Sequence, residues 1–491
     1  MDNLTSSLVV LPEIVLVLLG FFILLVGLMR RDNAARVATF LTVFAFVICA
    51  VVIFLPARLH IFLDGALPIP AFGTVFIDDA FARFVKLLLL IAAGLSLLLS
   101  GSYLEEEKIA LPEYPVLVLF ATLGMMLMVS ASDMLSLYVG MELQSLSLYV
   151  LAAIQRDNAK SSEAGVKYFV LGALSSGIVL YGISLVYGFT GTTDFIKLGH
   201  ILAAAPPHSV GLTIGLVFIA AAMAFKVSAV PFHMWTPDVY EGAPTSVTAF
   251  FAAAPKIAAI VAFIRLLYMP FGGVSHEWIQ IVVVIAVASM VLGNFSGLAQ
   301  NNFKRLMAYS SIANVGTALV GLAVDNREGI QAVLIYLAVY FLNVLGVFGI
   351  LMYLRRGGKA VENISELSGL SRTHPMLALM MMLFMYSLAG VPPMAGFFGK
   401  YFVFTAAVHA HMIPLVVIGV LTSVVAAFYY LRVIKMMYFD DVIDPIDPLK
   451  ADFTAEVSLI VTLLLVVGFV FWPVPVIDAA HHAVATLLIK G

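Results

Sequence analysis

The sequence predicts an all-α integral membrane protein of about 14 transmembrane helices, arranged as two inverted five-helix repeats with interrupted seventh and twelfth helices. Three observations predict it. Of 491 residues, 62% are hydrophobic and 11% charged, against roughly 25% charged in a soluble domain. Apolar runs long enough to cross roughly 30 Å of hydrocarbon recur from end to end. Two of those runs are broken by proline in similar surroundings, at Pro231 and at Pro392-Pro393.

The first span, roughly 8–29, contains "LVVLPEIVLVLLGFFILLVGLM". It has no basic region before it and no small-residue cleavage site after it, so it reads as a retained span and not a signal peptide. Further spans are expected at roughly 36–55, 78–101, 114–130, 132–154, 163–189, 210–231, 245–268, 278–298, 303–323, 330–354, 375–394 continuing to 408, 413–437 and 455–473. The close spacing at 130/132 and 298/303 leaves those boundaries least defined.

"VKYFVLGALSSGIVLYGISL" (166–185) and "LIYLAVYFLNVLGVFGILMY" (334–353) share tyrosine and small-residue placement, and each precedes a proline-interrupted span. Five spans over 114–268 then match five over 278–437, and an odd number of spans per copy inverts the second copy. The expected units are an N-terminal three-helix segment (1–110), two repeats (111–270 and 271–440) and a last helix with its tail (441–491).

Lys/Arg bias in the loops sets the orientation. With the N-terminus outside, the inner loops receive Arg30, Arg31, Arg36, Lys108, Arg156, Lys160, Lys304, Arg305, Arg355, Arg356, Lys359, Arg372, Arg432, Lys435 and Lys450, while the outer loops keep only Arg58, Lys197, Arg327 and Lys490 clear of span ends. Both termini are therefore expected on the outer, periplasmic side. The acidic loop "YLEEEK" at 103–108 dissents, but acidic residues count little in this rule.

Cys49 is the only cysteine, which excludes disulfides and cysteine-ligated clusters within the chain. The ten histidines form no HExxH, and His409/His411 and His481/His482 fall in or near expected loops. "AGFFGKY" lacks the first glycine and the hydroxyl residue of a phosphate loop. No cofactor or metal is expected in this chain.

Glu142, Lys226, Lys256, Lys400 and, nearer a span end, Lys167 lie inside expected spans. Each costs about 2.5 to 3.5 kcal/mol at a helix centre on the insertion scale, so water or a counter-charge must compensate. Glu142 is too deep to snorkel; it is either a protonated group in a helix contact, hydrogen-bonded to Ser or Gln, or the partner of a lysine. A carboxylate about 4 Å from an ammonium gains roughly 4 kcal/mol at an effective dielectric near 20. Lys226 precedes Pro231 by five residues. The proline frees backbone polar groups, which a membrane tolerates only where they face protein or a wet cavity.

Lysine and break thus explain one another. Lys256 follows Pro255, and Lys400 follows the double proline. Lys167 either snorkels or joins the relay. His233 relays protons or is a hydrogen-bonded interfacial group, and Lys304 stands between the same alternatives at the inner edge. Arg83, Lys86 and Arg265, near span ends, read as anchors. Lysines at one depth with an acid that tunes one of them form a proton relay.

"FKVSAVPFHMWTPDVYEGAPTSVTAFFAAAPK", "NFKRLMAYSSIANVG" and "SLAGVPPMAGFFGKYF" resemble the antiporter-like membrane subunits of respiratory complex I (proton-pumping NADH:quinone oxidoreductase) and of multisubunit cation/proton antiporters. "YFVLGALSSGIVLYGISLVYGFTG", a lysine at 400 and the absence of room for a long lateral helix after 473 resemble the N-type branch. The resemblance implies the fourteen-helix inverted repeat and proton translocation in a bacterial inner membrane, driven by electron transfer from NADH to quinone in other subunits.

It also implies that FMN, Fe–S clusters and quinone belong to partner membrane and peripheral subunits, other antiporter-like subunits among them. In such subunits Glu142 modulates Lys226, and the proton passes by way of Lys256 toward Lys400. A multisubunit cation/proton antiporter or a membrane-bound hydrogenase is the alternative assembly. A solute transporter, which would need polar specificity groups at the breaks, and a purely structural subunit are the remaining readings.

Overall fold

The computed structural model describes residues 3–30, 33–58, 69–204, 209–442, 446–447 and 452–487. Arg31, Lys450 and Lys490, used above for the charge bias, lie outside the described residues, as does the Arg58 side chain.

A short helix α1 (Asn3–Val9) leads into α2 (Leu11–Met29) and α3 (Ala34–Arg58). A β-hairpin, β1 (Ile69–Ala71) with β2 (Phe76–Asp78), precedes α4 (Ala80–Glu106). Asp79 starts α4 by accepting from the Ala82 amide at 2.7 Å, which satisfies one of the orphan donors of the first turn. Next come α5 (Glu113–Ser130), α6 (Met134–Ala152), α7 (Ala159–Thr190), the surface helix α8 (Phe195–Ala204), the broken pair α9 (Val210–Val227) and α10 (Trp235–Gly242), and α11 (Thr245–Tyr268).

The second half holds α12 (Ser275–Leu298), α13 (Phe303–Ala323) and α14 (Arg327–Tyr353), then a hairpin of β3 (Arg355–Arg356) and β4 (Lys359–Ala360). Gly357 and Gly358 both sit at positive φ, as a two-residue hairpin turn of this hand demands. A short α15 (Leu370–Thr373) precedes the second broken pair, α16 (Pro375–Ala389) and α17 (Ala395–His409), followed by α18 (Ile413–Phe439), α19 (Phe453–Phe471) and α20 (Val474–Leu487).

Among the described residues, thirteen helices are long and apolar enough to cross a membrane, and α16 with α17 makes up one more crossing. The expected spans agree within a few residues, except that α9 stops at Val227, well before Pro231. Among the described residues, α8, α10, α15 and α20 had no counterpart among those spans, and α1 meets the first of them only at its end. α1, α8 and α20 are too short to cross a membrane, and α20 places His481 and His482 on a helix instead of in a loop.

The bundle is layered by exposure. α2, α3, α18 and α19 turn large apolar side chains outward, such as Leu18, Phe44, Phe428 and Leu464, which is the face lipid requires. α11 is wholly buried, and α13 and α14 nearly so. Those three helices carry Lys256, Lys304 and a row of buried hydroxyls, so polar chemistry is concentrated where lipid is absent.

The repeat shows in equivalent close contacts. A Cβ on Gly124 would meet the Gln144 amide at 2.5 Å; a Cβ on Gly293, 169 positions on, would meet the Ala313 amide at 2.7 Å. The isolated bridges Asp133↔Asp194 and Asn302↔Asn363 keep the same offset. In this register Ser311 stands where Glu142 stands, and Asn314 where Ser145 stands.

Two of the expected anchors are buried ion pairs. Lys86, 1% exposed, meets Glu13 at 2.7 Å, and Arg265, 1% exposed, meets Asp79 at 2.7 Å. Position near a span end suggested snorkelling, but α2 and α11 cover α4 there and supply partners. Arg83, half-buried, pairs with Asp78 at 2.8 Å. The acidic loop that dissented from the charge rule is also paired: Glu105 with Arg36, and Glu106 and Glu107 with Arg355.

Candidate functional site

The first break begins where α9 ends, with Ser228 at φ +64, and its freed backbone groups are individually taken up. The Phe225 carbonyl accepts from Trp235 Nε1 at 3.1 Å, and the Val227 carbonyl accepts from Lys256 Nζ at 2.9 Å. The Val230 amide donates to Ser289 Oγ at 2.9 Å. Lys256 also donates to Ser228 Oγ and lies over the Trp235 ring, 5.4 Å from its centroid. The lysine that serves the break is therefore Lys256 of α11, not the neighbouring Lys226. Burial left this ammonium no water, and the helix end offered partial negative charge.

Lys226 turns the other way. Its Nζ donates to Ser145 Oγ at 2.7 Å, and Ser145 hands its own proton to the Met141 carbonyl at 2.6 Å. Glu142 lies one turn before Ser145 on α6 and accepts from Ser176 Oγ of α7. Glu142 and Lys226 thus share one helix face, but no direct ion pair joins them among the described residues. The expected carboxylate–ammonium contact near 4 Å is replaced by two hydroxyls, one on each group. Lys226 stands on α9 just before the break that Lys256 reaches from α11.

The second break repeats the device within its own pair. Lys400 Nζ of α17 donates to the Leu388 and Ala389 carbonyls at the end of α16, at 3.1 and 3.2 Å. The Gly396 amide donates to Ser387 Oγ at 2.9 Å. A cavity of about 10 Å³ adjoins Lys400 and is lined by Asn314, Tyr336, Tyr340, Asn343 and Ser387 among others.

The remaining predicted residues lie off this line. Lys167, 42% exposed, pairs with Glu163 at 2.7 Å and Asp238 at 2.8 Å. Arg305 pairs with Asp238 and Glu241 at 2.7 and 3.1 Å. With Lys160, they border a cavity of about 250 Å³ at the basic end of the bundle. Lys304, buried, donates to the Ala243 carbonyl at 2.9 Å, behind that cavity. His233 is half-buried in the turn after the first break, and no hydrogen bond joins it to Glu142, Lys226 or Lys256 among the described residues. Among the described residues, no group of three or more His, Cys, Asp or Glu side chains could hold a metal ion.

Sequence reasoning allowed Glu142 a Ser or Gln partner but did not single out which serines dress the charges. Ser145 and Ser176 are the immediate partners of Lys226 and Glu142. Their signal was hydroxyls at i+3 from a buried acid and in the "SS" pair of the next helix, a pattern too common in apolar helices to stand out unaided.

Residues 131–426 match the family described as "NADH:quinone oxidoreductase/Mrp antiporter, TM". A relative from Rhodospirillum rubrum, named NADH-quinone oxidoreductase subunit N, is 53% identical over 97% of this chain and 96% of its own length. The chain belongs to the NADH-quinone oxidoreductase subunit N family. Another subunit N, from Parvibaculum lavamentivorans, is 49% identical over 99% of this chain and all of its own. A chain of respiratory complex I from Thermus thermophilus is 30% identical, with 95% of this chain and 98% of that one covered and a TM-score of 0.80. A chain of the Mrp complex from Dietzia sp. shares the fold, with a TM-score of 0.85 at 20% identity over 99% of this chain and 98% of that one. All of the charged residues singled out above as relay candidates fall inside residues 131–426, the stretch that matches the NADH:quinone oxidoreductase/Mrp antiporter family.

Proposed function

We propose that this chain moves protons as the non-redox subunit N of NADH:quinone oxidoreductase, through Glu142, Lys226, Lys256 and Lys400. The observation that carries the reading is the placing of three lysines, Lys256 and Lys400 buried and Lys226 half-buried, around two helix breaks. Lys226 donates to Ser145, one turn from Glu142 on α6, Lys256 caps the Val227 carbonyl, and Lys400 caps the second break. An ammonium held by hydroxyls and carbonyls keeps its proton only while its surroundings favour charge. Glu142, one turn from Ser145 on α6, changes those surroundings for Lys226 through its charge.

The cavity beside Lys167, Asp238 and Arg305 serves as the inlet, with Lys304 behind it and His233 at the turn as lesser members. Loop charge bias supports the basic end facing the cytoplasm, both termini facing the periplasm, and a bacterial inner membrane. The equivalent contacts of the two halves support a division into units 1–110, 111–270, 271–440 and 441–491. FMN, Fe–S clusters and quinone reside in partner subunits; the single cysteine supports this division.

The test is Glu142→Gln and Lys226→Ala in the assembled complex, measuring proton uptake by vesicles during NADH oxidation. Severe loss of pumping in both is expected. Native pumping in both would leave a structural role only. A purified assembly without NADH:quinone reductase activity would favour the antiporter reading.

A further inference from the structure

Between the two breaks lies a set of hydroxyls that the lysine relay does not use. Tyr240 of α10 and Tyr340 of α14 both place their hydroxyls toward Ser311 Oγ of α13. All three residues are buried, and neither Ser311 Oγ nor Tyr240 OH has a well-formed protein hydrogen bond. A buried hydroxyl without a partner is costly, and a water or a passing proton relieves it.

On one side, Tyr240 shares α10 with Trp235, the ring beneath Lys256, five residues or about 7.5 Å along the helix. On the other side, Tyr340 stacks on Tyr336 with centroids 6.2 Å apart, and both line the cavity against Lys400. That cavity has room for about one water. Asn343 lines it too, with an unpartnered buried Oδ1. Lys400 has given two of its three donors to carbonyls, leaving one for such a water.

The repeat register sharpens the argument. Ser311 occupies the second-repeat position equivalent to Glu142, so a hydroxyl replaces the acid where α13 meets α10 and α14. A neutral hydroxyl cannot store a charge, but it can pass one on.

We propose that Ser311, held between Tyr240 and Tyr340, is the point at which the proton crosses from the first repeat to the Lys400 cavity in the second. This rests on the relay reading above. At each oxygen one O–H bond forms as another breaks, so the proton moves without net charge left behind and without redox change. Asn314 and Asn343 are positioning residues: their amides orient hydroxyls and water. Asn314 does so by accepting from Tyr336 at 2.7 Å.

The experiment uses the complete complex in proteoliposomes, with NADH oxidation and lumen pH followed together in H2O and D2O. Ser311→Ala and Tyr340→Phe are expected to slow proton uptake about tenfold and to enlarge the solvent isotope effect, with Ser311→Thr restoring both. A packing role alone would lower the amount of assembled complex and leave the isotope effect unchanged, which overturns the proposal. Native rates in Ser311→Ala and Tyr340→Phe also overturn it. If Ser311→Ala does not assemble, Tyr340→Phe decides. Should Glu142→Gln and Lys400→Ala stop pumping while these variants do not, only the crossing point falls; should all four pump normally, the relay itself falls.

Discussion

Replacing Lys256 separates its two roles, cap and proton carrier. In Lys256→Met the insertion penalty of about 2.5 to 3.5 kcal/mol for a buried cation disappears. Against that, two charge-assisted hydrogen bonds, to the Val227 carbonyl and Ser228, vanish at about 1.5 to 3 kcal/mol each. The contact with the Trp235 ring adds about 0.5 to 2 kcal/mol. The opposing terms leave a net destabilisation of about 0 to 5.5 kcal/mol, around or below the low end of the 5 to 15 typical of a domain, so the methionine variant is expected to assemble.

Lys256→Arg keeps the cation and its donors, at an overpacking cost of about 1 to 3 kcal/mol, but a guanidinium does not release its proton in a protein. Both variants should therefore appear in the complex on a native gel, and both should lose most NADH-driven proton uptake in vesicles. An arginine variant that pumps at the native rate would refute the carrier role. A methionine variant that fails to assemble, beside an arginine variant that assembles and pumps, would reduce Lys256 to a structural cap.

Three further outcomes are expected. Arg265→Met strands a buried Asp79 and should cost about 3 to 5 kcal/mol, read as a lowered melting temperature of the complex; adding Asp79→Asn, which keeps the helix cap, should recover much of it. Gly293→Ala and Gly124→Ala drive a Cβ to within 3.0 Å of backbone atoms and should cut the yield of assembled complex, whereas Gly177→Ala, with open space around it, should not. Lys160→Gln removes only half-exposed pairs with Glu362 and Glu241 and should change stability by less than about 1 kcal/mol.

Much of the architecture was legible because lipid imposes a coarse rule: apolar runs of a fixed length. α11 and α13 fall on their expected boundaries, 245–268 and 303–323, since proline and asparagine mark their starts. α8 and α20 escaped because helices lying along a surface need only one apolar face, so they leave no long run. Lys86 and Arg265 were misread because distance along one helix says nothing of what packs over its end. The four deep charges were legible as a set, each being costly enough in lipid to require a reason. Their partners were not: whether Lys226 meets Glu142 or Ser145 depends on how α9 is rotated against α6, a matter of side-chain packing.

The ion pair between Asp79 and Arg265 also bears on how the chain is made. The two residues are 186 positions apart, so at 5 to 20 residues per second the ribosome needs about 10 to 40 s to deliver the arginine after the aspartate. For that interval α4 holds a carboxylate with no cation. Asp79 stands at the very start of the helix, where it can remain hydrated at the membrane surface until α11 arrives and covers it. Insertion is thereby ordered: the first three long helices cannot close on themselves, and their final burial waits for the end of the first repeat.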